Sequence, residues 1–241
     1  MTINTKTLAA IDIGTNAIRL FISNVEEYPT ETLFKKIAFL RVPIRLGEDV
    51  FTTGEIGQQK GKRLCETMQG FSYIMSAFNV ESYKAYATCA MREARNGKSV
   101  AEQIQKECDL NIEIISGTKE AETIFAGGMN EVVDDDKTYL YVDVGGGSTE
   151  VIVYSKSVKV EACSFPLGTV RMLNDAMDKE EMKHFKKWLK NITEKYTPDA
   201  IIGSGGNINK IHKLLNKKER ERITYQELDI LYEYMKSFNL E

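Results

Sequence analysis

The strongest constraint on the fold of this chain is an internal repeat. Residues 8–16, LAAIDIGTN, reappear at 140–148 as LYVDVGGGS, and each copy is an apolar run broken by one aspartate and followed by a turn with glycine and a hydroxyl residue. The two aspartates, Asp12 and Asp143, lie 131 residues apart. Solenoid repeats have periods of roughly 20–50 residues. We therefore expect two related domains, 1–125 and 126–241.

The segments that follow each copy indicate two equivalent halves. Runs rich in β-branched and aromatic residues predict strands, and apolar residues every three or four positions predict amphipathic helices at 64–78 and 182–196. After the repeated run itself, the predicted strands are 17–23, 37–44, 83–88 and 112–116 in the first half and 149–154, 158–165 and 200–203 in the second. The chain is thus predicted to be an α/β protein with five strands in its first half and four in its second.

The second half ends without a final strand. Thr224 and Glu227 have the spacing of a capping box, which predicts a last helix whose Leu228, Leu231, Met235 and Phe238 face inward. We expect the second sheet to end in an exposed edge and the second domain to be incomplete at its C-terminus. An exposed sheet edge invites association, which makes a homodimer the candidate assembly.

Charge and cysteine usage exclude several classes of partner. The formal net charge is −3, from 32 Lys and Arg against 35 Asp and Glu. No basic field attracts the chain to DNA or to an anionic membrane, so an anionic ligand needs a local site. The four cysteines are scattered, without a CxxC pair, and no apolar run approaches the roughly 20 residues of a membrane span. We expect reduced thiols and a cytoplasmic location.

The two repeated turns are the candidate ligand site. Asp12 and Asp143 each end an apolar strand, where a carboxylate is costly unless it is paired or binds a metal. One such residue is most simply a turn cap, but two in matching settings indicate Mg²⁺ beside a phosphate chain. Glycine lets the backbone approach phosphates closely. The candidate phosphate ligands are Gly14, Thr15 and Asn16 (the first glycine turn, residues 14–16) and Gly145, Gly146, Gly147 and Ser148 (the second glycine turn, residues 145–148).

Four further charged residues are candidates for the same site. Glu150 shares a strand face with Ser148 and is either a second metal-side carboxylate or a solvated strand residue. Arg19 and Arg92 lie in or beside apolar strands, where a guanidinium either clamps phosphate or is a partnered structural group. Glu120 opens a predicted helix, and its simplest role is a favourable first-turn charge.

Five motifs together resemble the exopolyphosphatase and guanosine pentaphosphate phosphohydrolase family. They are AIDIGTNAIRL, ATCAMREARNG, EIISGTKEAETIFAG, YVDVGGGSTEVIVY and IIGSGGN, which occur in this order between residues 10 and 207. A DxGGGS motif alone would indicate only the wider superfamily of actin, sugar kinases and heat-shock ATPases. The resemblance implies two ribonuclease H-like, actin-like domains with a ligand cleft between them.

The resemblance also implies a reaction and its residues. Glu120 would be the general base that activates water, Asp143 and Glu150 would serve Mg²⁺ and catalysis, and Arg92 would clamp an anion. The expected activity is Mg²⁺-dependent release of terminal phosphate from inorganic polyphosphate. The alternatives are hydrolysis of guanosine pentaphosphate, and binding of polyphosphate or a guanosine alarmone without hydrolysis. Lys119 departs from a family pattern that often has an acidic residue there, and family members continue beyond Glu241.

Overall fold

The architecture is an α/β fold with two sheets. The computed structural model describes residues 4–126, 134, 136–156, 158–218 and 221–238. None of the helices in these ranges is both long enough and apolar enough to cross a membrane. All four cysteines are free thiols.

The first sheet has five strands, as predicted. Its strands are β1 (Asn4–Ile13), β2 (Ile18–Glu27), β3 (Thr32–Val42), β4 (Ser82–Ala87) and β5 (Glu113–Ile114), and its helices are α1 (Leu46–Thr53), α2 (Gln58–Ala77), α3 (Cys89–Glu93), α4 (Gly97–Cys108) and α5 (Gly117–Ala126). The strand order is β3-β2-β1-β4-β5. The sequence placed the start of β3 five residues late, at 37 rather than 32. It also missed α1 and α3, which are too short to show a helical period.

The second sheet repeats this layout with four strands among the described residues, which confirms the predicted number. Its strands are β6 (Thr138–Val144), β7 (Thr149–Ser155), β8 (Val158–Phe165) and β9 (Ala200–Ser204), and its helices are α6 (Thr169–Leu173), α7 (Lys179–Tyr196), α8 (Gly205–Leu214) and α9 (Tyr225–Lys236). The order is β8-β7-β6-β9. The unpaired side of β9 is therefore the expected sheet edge, and Ile201 on this strand is exposed.

The repeated turns have the same backbone structure. In the first half, the N–H of Gly14 donates to the carbonyl of Ala17 over 3.2 Å, and in the second the N–H of Gly145 donates to the carbonyl of Ser148 over 2.9 Å. Each hydrogen bond closes the connection between the first two strands of its sheet. The similarity between the two copies thus extends from the residue pattern to the hydrogen bonding.

Each half has its own core, and α5 bridges them. The apolar stripe of α2, including Leu64, Met68 and Phe71, is buried against the first sheet as predicted. In contrast, α5 buries Ala121 in a cluster with Tyr141 and Ile152 of the second sheet. The domain division at residue 125 falls inside this helix and stays a prediction, and residues 127–133 just after the helix lie outside the described residues.

The last helix, α9, corrects one expectation. Its predicted capping box is present, with the Thr224 side chain accepting from the Glu227 backbone and the Glu227 side chain from the Thr224 backbone. Of the four side chains expected to face inward, only Leu231 is buried. The exposed ones are Leu228, Met235 and Phe238. The helical period of the apolar residues was predicted correctly, but too little of the described chain packs against this helix to cover its apolar face.

Candidate active site

Both repeated turns line one cleft. Its volume is about 1040 Å³, and its walls come from both halves of the chain. All of the predicted site residues except Arg92 line it: Asp12, Gly14, Thr15, Asn16, Arg19, Glu120, Asp143, Gly145, Gly146, Gly147, Ser148 and Glu150. The structure thus collects in one place residues that are far apart in the sequence.

Two carboxylates face each other in the second sheet. Asp143 on β6 is paired in register with Glu150 on β7, and residues directly opposite in antiparallel strands share a face. Glu150 is only 2% exposed, so it is not a solvated strand residue. Burial raises the pKa of Glu150, and hydrogen bonds from Ser148 and Ser164 oppose that shift. The Ser164 hydroxyl donates to Oε1 of Glu150 over 2.8 Å.

An ion pair occupies the equivalent place in the first sheet. Asp12 on β1 is paired in register with Arg19 on β2, and Nη1 of Arg19 donates directly to Oδ2 of Asp12. The Asp12 side chain is 44% exposed to the water of the cleft. The protein around it removes enough bulk solvent to raise its pKa, while Arg19 acts in the opposite direction. A cation at Asp12 would have to compete with Arg19.

Glu120 lies in the first turn of α5, where it faces the cleft. The side chain of Ser116 precedes the helix and accepts a hydrogen bond from the backbone N–H of Lys119 over 3.1 Å, which fixes the start of this turn. The Glu120 side chain is 16% exposed. Burial, with a further contribution from the charge of Glu150, raises its pKa to about 7, and Arg92 acts against both. A carboxyl with this pKa can accept a proton near neutral pH.

Arg92 lies beside the main cleft, in contact with Glu120. Its Nη1 donates to the carbonyl of Ile115 over 2.9 Å and to Oε2 of Glu120 over 3.3 Å. It lines an adjoining cavity of about 380 Å³, which Ser148 also lines, rather than the main cleft. The guanidinium is therefore engaged behind Glu120, where it orients that carboxylate and supplies a compensating charge.

The second glycine turn touches the first half directly. A Cβ added to Gly147 would lie 2.5 Å from Sγ of Cys89 and 2.8 Å from Oγ1 of Thr15, too close for any side chain. Thr15 itself is buried against this turn. The sequence interpreted Thr15 and these glycines as phosphate ligands only. The structure adds that they take part in the contact between the two halves, which local sequence patterns do not reveal.

A glycine without an earlier assigned role supports Asp143. Gly205 begins α8 with φ +89°, in the left-handed region that favours glycine. A Cβ there would lie 2.6 Å from Oδ1 of Asp143. Side-chain space and backbone conformation thus both require glycine. In the sequence, Gly205 lies within the IIGSGGN motif.

Other cleft residues were missed because they depend on strand pairing. Arg41 on β3 lies opposite Arg19, and Lys84 on β4 lies opposite Ala10, so both basic side chains line the cleft. Ser164 is placed beside Glu150 in the same way. Side-chain alternation along the predicted strands could have suggested that Arg41 faces the cleft. That Arg41 lies beside Arg19 could not be predicted without knowing the register between β2 and β3.

The carboxylates allow a limited set of cation sites. Within the described ranges, no group of three or more His, Cys, Asp or Glu side chains is arranged to hold a metal ion. Mg²⁺ commonly uses only one or two protein carboxylates and completes its shell with water and substrate phosphates. The facing pair Asp143 and Glu150 fits that kind of site.

Comparison with known proteins identifies the family. Residues 22–240 match the model of the Ppx/GppA phosphatase family. The chain belongs to this family. The resemblance found in the motifs is thereby confirmed.

The chain is also similar to several named proteins. A bifunctional 3-dehydroquinate synthase/phosphatase of Fusobacterium nucleatum is 30% identical over 82% of this chain and 32% of its own length. A putative exopolyphosphatase of Haemophilus influenzae is 25% identical over 95% of this chain and 74% of its own length. The crystal structure of an exopolyphosphatase from Cytophaga hutchinsonii superposes with a TM-score of 0.81 at 24% identity, covering 95% of this chain and 80% of that one. This superposition confirms the predicted fold class. The chain spans about a third of the Fusobacterium protein.

Proposed function

We propose that this chain hydrolyses the terminal phosphoanhydride bond of inorganic polyphosphate and releases phosphate. The observation that carries the proposal is Glu120, whose pKa is raised to about 7 in a cleft shared with two glycine turns and the carboxylate pair Asp143 and Glu150. The Ppx/GppA family match and the relatives named as exopolyphosphatases support the same reaction.

The residues divide the work of hydrolysis. Glu120 accepts a proton from a water molecule as that water attacks the terminal phosphorus. Arg92 holds the Glu120 carboxylate through its contact at 3.3 Å. The glycine turns line the cleft in which the phosphate chain would lie, and Arg19, Arg41 and Lys84 supply positive charge along one wall of it. Phosphoryl transfer needs positioning and charge stabilisation more than covalent chemistry.

Mg²⁺ is the proposed cofactor. Asp143 and Glu150 would hold it, because hard cations prefer charged oxygen ligands and these carboxylates face each other across β6 and β7. When bound, the ion neutralises the phosphate charge that two carboxylates alone would repel. Ser164 and Ser148 orient Glu150 through hydrogen bonds, and Gly205 has no Cβ that would clash with the Asp143 carboxylate.

Phosphate release tests the proposal directly. The full chain would be assayed with long-chain polyphosphate, tripolyphosphate and guanosine pentaphosphate, each with and without Mg²⁺. A matched control for Glu120→Gln is Glu122→Gln, since Glu122 lies on the same helix but pairs with Lys159 over 2.9 Å. We expect Mg²⁺-dependent release from polyphosphate that Glu122→Gln retains and Glu120→Gln loses. Binding of polyphosphate without release would instead identify a non-hydrolysing sensor.

Guanosine pentaphosphate is the second candidate substrate. The cleft wall formed by the first sheet includes Phe21 and Phe39, and Phe39 is 55% exposed. Aromatic faces stack on nucleobases, whereas a bare phosphate chain has no group to stack. If the guanosine substrate is used, Phe39→Ala should weaken its hydrolysis and leave tripolyphosphate hydrolysis unchanged.

Location and assembly remain proposals from the sequence. The cytoplasmic location rests on the scattered thiols and the homodimer on the exposed edge at β9. Light scattering after gel filtration would measure the mass of the particle against the 27.3 kDa of one chain.

A further inference from the structure

An arginine outside the catalytic set joins the two halves of the molecule. Arg171 lies in α6, directly after β8 of the second sheet, and its side chain is only 11% exposed. Its Nη2 donates to both carboxylate oxygens of Glu93, over 2.7 and 2.8 Å. Glu93 belongs to α3 of the first half. The contact is therefore a part-buried ion pair, with the Glu93 side chain 36% exposed, between residues 78 positions apart, one from each half.

The same guanidinium also holds the second glycine turn. Nε of Arg171 donates to the carbonyl of Gly147 over 3.0 Å, and the group lies 4.1 Å from the centre of the Phe51 ring of α1. The backbone N–H of Arg171 donates to the carbonyl of Gly146 over 3.1 Å. One side chain thus contacts the turn, α1 and α3 at once.

The partners of Arg171 lie next to residues that contact the proposed catalytic groups. Glu93 follows Arg92 in α3, and Arg92 contacts Glu120. On the other side, the turn held by Arg171 ends at Ser148, whose side chain hydrogen-bonds Glu150. Glu120 lies on α5, which packs on the second sheet, whereas Arg92 belongs to α3 of the first half. The approach of Arg92 to Glu120 therefore depends on how closely α3 and the second glycine turn meet.

We propose that Arg171 is a positioning residue whose bond to Glu93 holds the two halves of the cleft at the spacing that binds substrate. The kinetic part of this proposal rests on the proposed hydrolysis, but the structural part does not. Arg171 does not line the cleft and touches no reacting group. It acts through α3 and the second glycine turn, which carry the groups that do.

The proposal predicts a particular kinetic signature. If loss of the pair leaves only about a tenth of the molecules with the halves correctly spaced, the apparent affinity falls about tenfold, because the measured dissociation constant is the intrinsic one divided by the competent fraction. Saturating substrate restores the spacing. Arg171→Met should therefore raise KM about tenfold and leave kcat within about twofold of the wild type.

Amide hydrogen exchange tests the structural part without activity. In Arg171→Met, exchange should rise about tenfold in peptides covering 88–95 and 145–150 and stay unchanged in 58–77, which forms α2 in the first core. Glu93→Gln removes the other partner of the ion pair and should raise exchange in the same peptides. It replaces Arg171→Met in this test if that variant does not fold. Arg171→Lys keeps the charge but not the fork of donors, so it should give intermediate values. Lys195→Met is the matched control, because it breaks an exposed ion pair with Glu161 within the second half.

The outcomes separate this inference from the proposed function. A rise in exchange confined to 88–95 and 145–150, together with a raised KM and a retained kcat, supports the inference. Unchanged exchange, or exchange raised equally in 58–77, shows that Arg171 does not control this contact and overturns it. A fall in kcat at constant KM also overturns it, because Arg171 would then act on the chemical step. A wild-type chain that releases no phosphate refutes the proposed function, and the exchange result alone then decides the inference.

Discussion

The two sheets share one plan but differ at the position on which the proposed chemistry depends. In the first sheet the repeated aspartate, Asp12, faces Arg19, and in the second its counterpart, Asp143, faces Glu150. The strand pairing is the same in both copies. A single difference in residue type changes a nearly neutral ion pair into two neighbouring carboxylates, and only the second arrangement offers a cation an uncompensated site.

The sheets also differ in what covers the face that carries these residues. In the second sheet, α5 packs on a cluster that includes Tyr141, Ile152, Ala162 and Ile202. In the first, strand pairing puts other residues at the corresponding places, and these line the open cleft: Ala10, Phe21, Phe39 and Lys84. One copy of the repeat uses this face for packing, and the other leaves it open to the cleft. Duplicated elements can therefore divide stability and function between them.

The sharpest test of this division is the helix that crosses from one half to the other. Glu120→Gln keeps the shape of the side chain and removes the proton acceptor beside the carboxylate pair. Loss of a general base typically costs about 100-fold to 10,000-fold in rate. We expect kcat to fall by that factor with KM little changed. Near-normal turnover, measured by phosphate release, would remove Glu120 from the mechanism.

The covered and open faces should differ in their contribution to stability. Ile152 is fully buried under α5, so Ile152→Ala should lower the free energy of unfolding by about 2–5 kcal/mol. Phe39 is exposed at the corresponding level of the first sheet, and Phe39→Ala should cost less than about 1 kcal/mol. Urea unfolding followed by circular dichroism measures both. Equal losses would show that Phe39 is covered in solution.

Much of this comparison was predictable from the sequence, because it depends on local periodicity. The repeat predicted two matching turns, and alternation along a strand placed Glu150 on the same face as Ser148. Strand numbers and the α2 stripe were confirmed for the same reason. Each of these features is specified within a few residues of sequence.

What could not be predicted depends on contacts between distant segments. The Arg92 guanidinium engages a glutamate 28 positions away rather than facing the main cleft. Thr15 packs against Gly147, 132 positions away, which no turn pattern reveals. The exposed side of α9 is a related case, because periodicity identifies an apolar face but not whether anything covers it.

The two aspartates should respond differently to loss of charge. Asp143→Asn removes a charged oxygen from the proposed cation site and should raise the Mg²⁺ concentration for half-maximal activity about tenfold or more. Asp12→Asn should change it less, because that carboxylate is engaged by Arg19. Mg²⁺ titrations of phosphate release compare the two variants directly. If Asp12→Asn has the larger effect, the cation site belongs to the first sheet.

The smallest expected effect is a displacement of the pH profile, and it links the two halves through Arg92. Glu120 must be deprotonated to act as a base, and burial raises its pKa to about 7. The rate should therefore rise up to tenfold per pH unit below about 7 and level off above it. Arg92 acts to lower this pKa, so Arg92→Gln should move the rising limb to higher pH. Profiles of kcat measured for both proteins at saturating Mg²⁺ test the shift. A limb that moves to lower pH, or stays in place, would mean that the Arg92 charge does not act on Glu120, and the rising limb would then have to be assigned to another group.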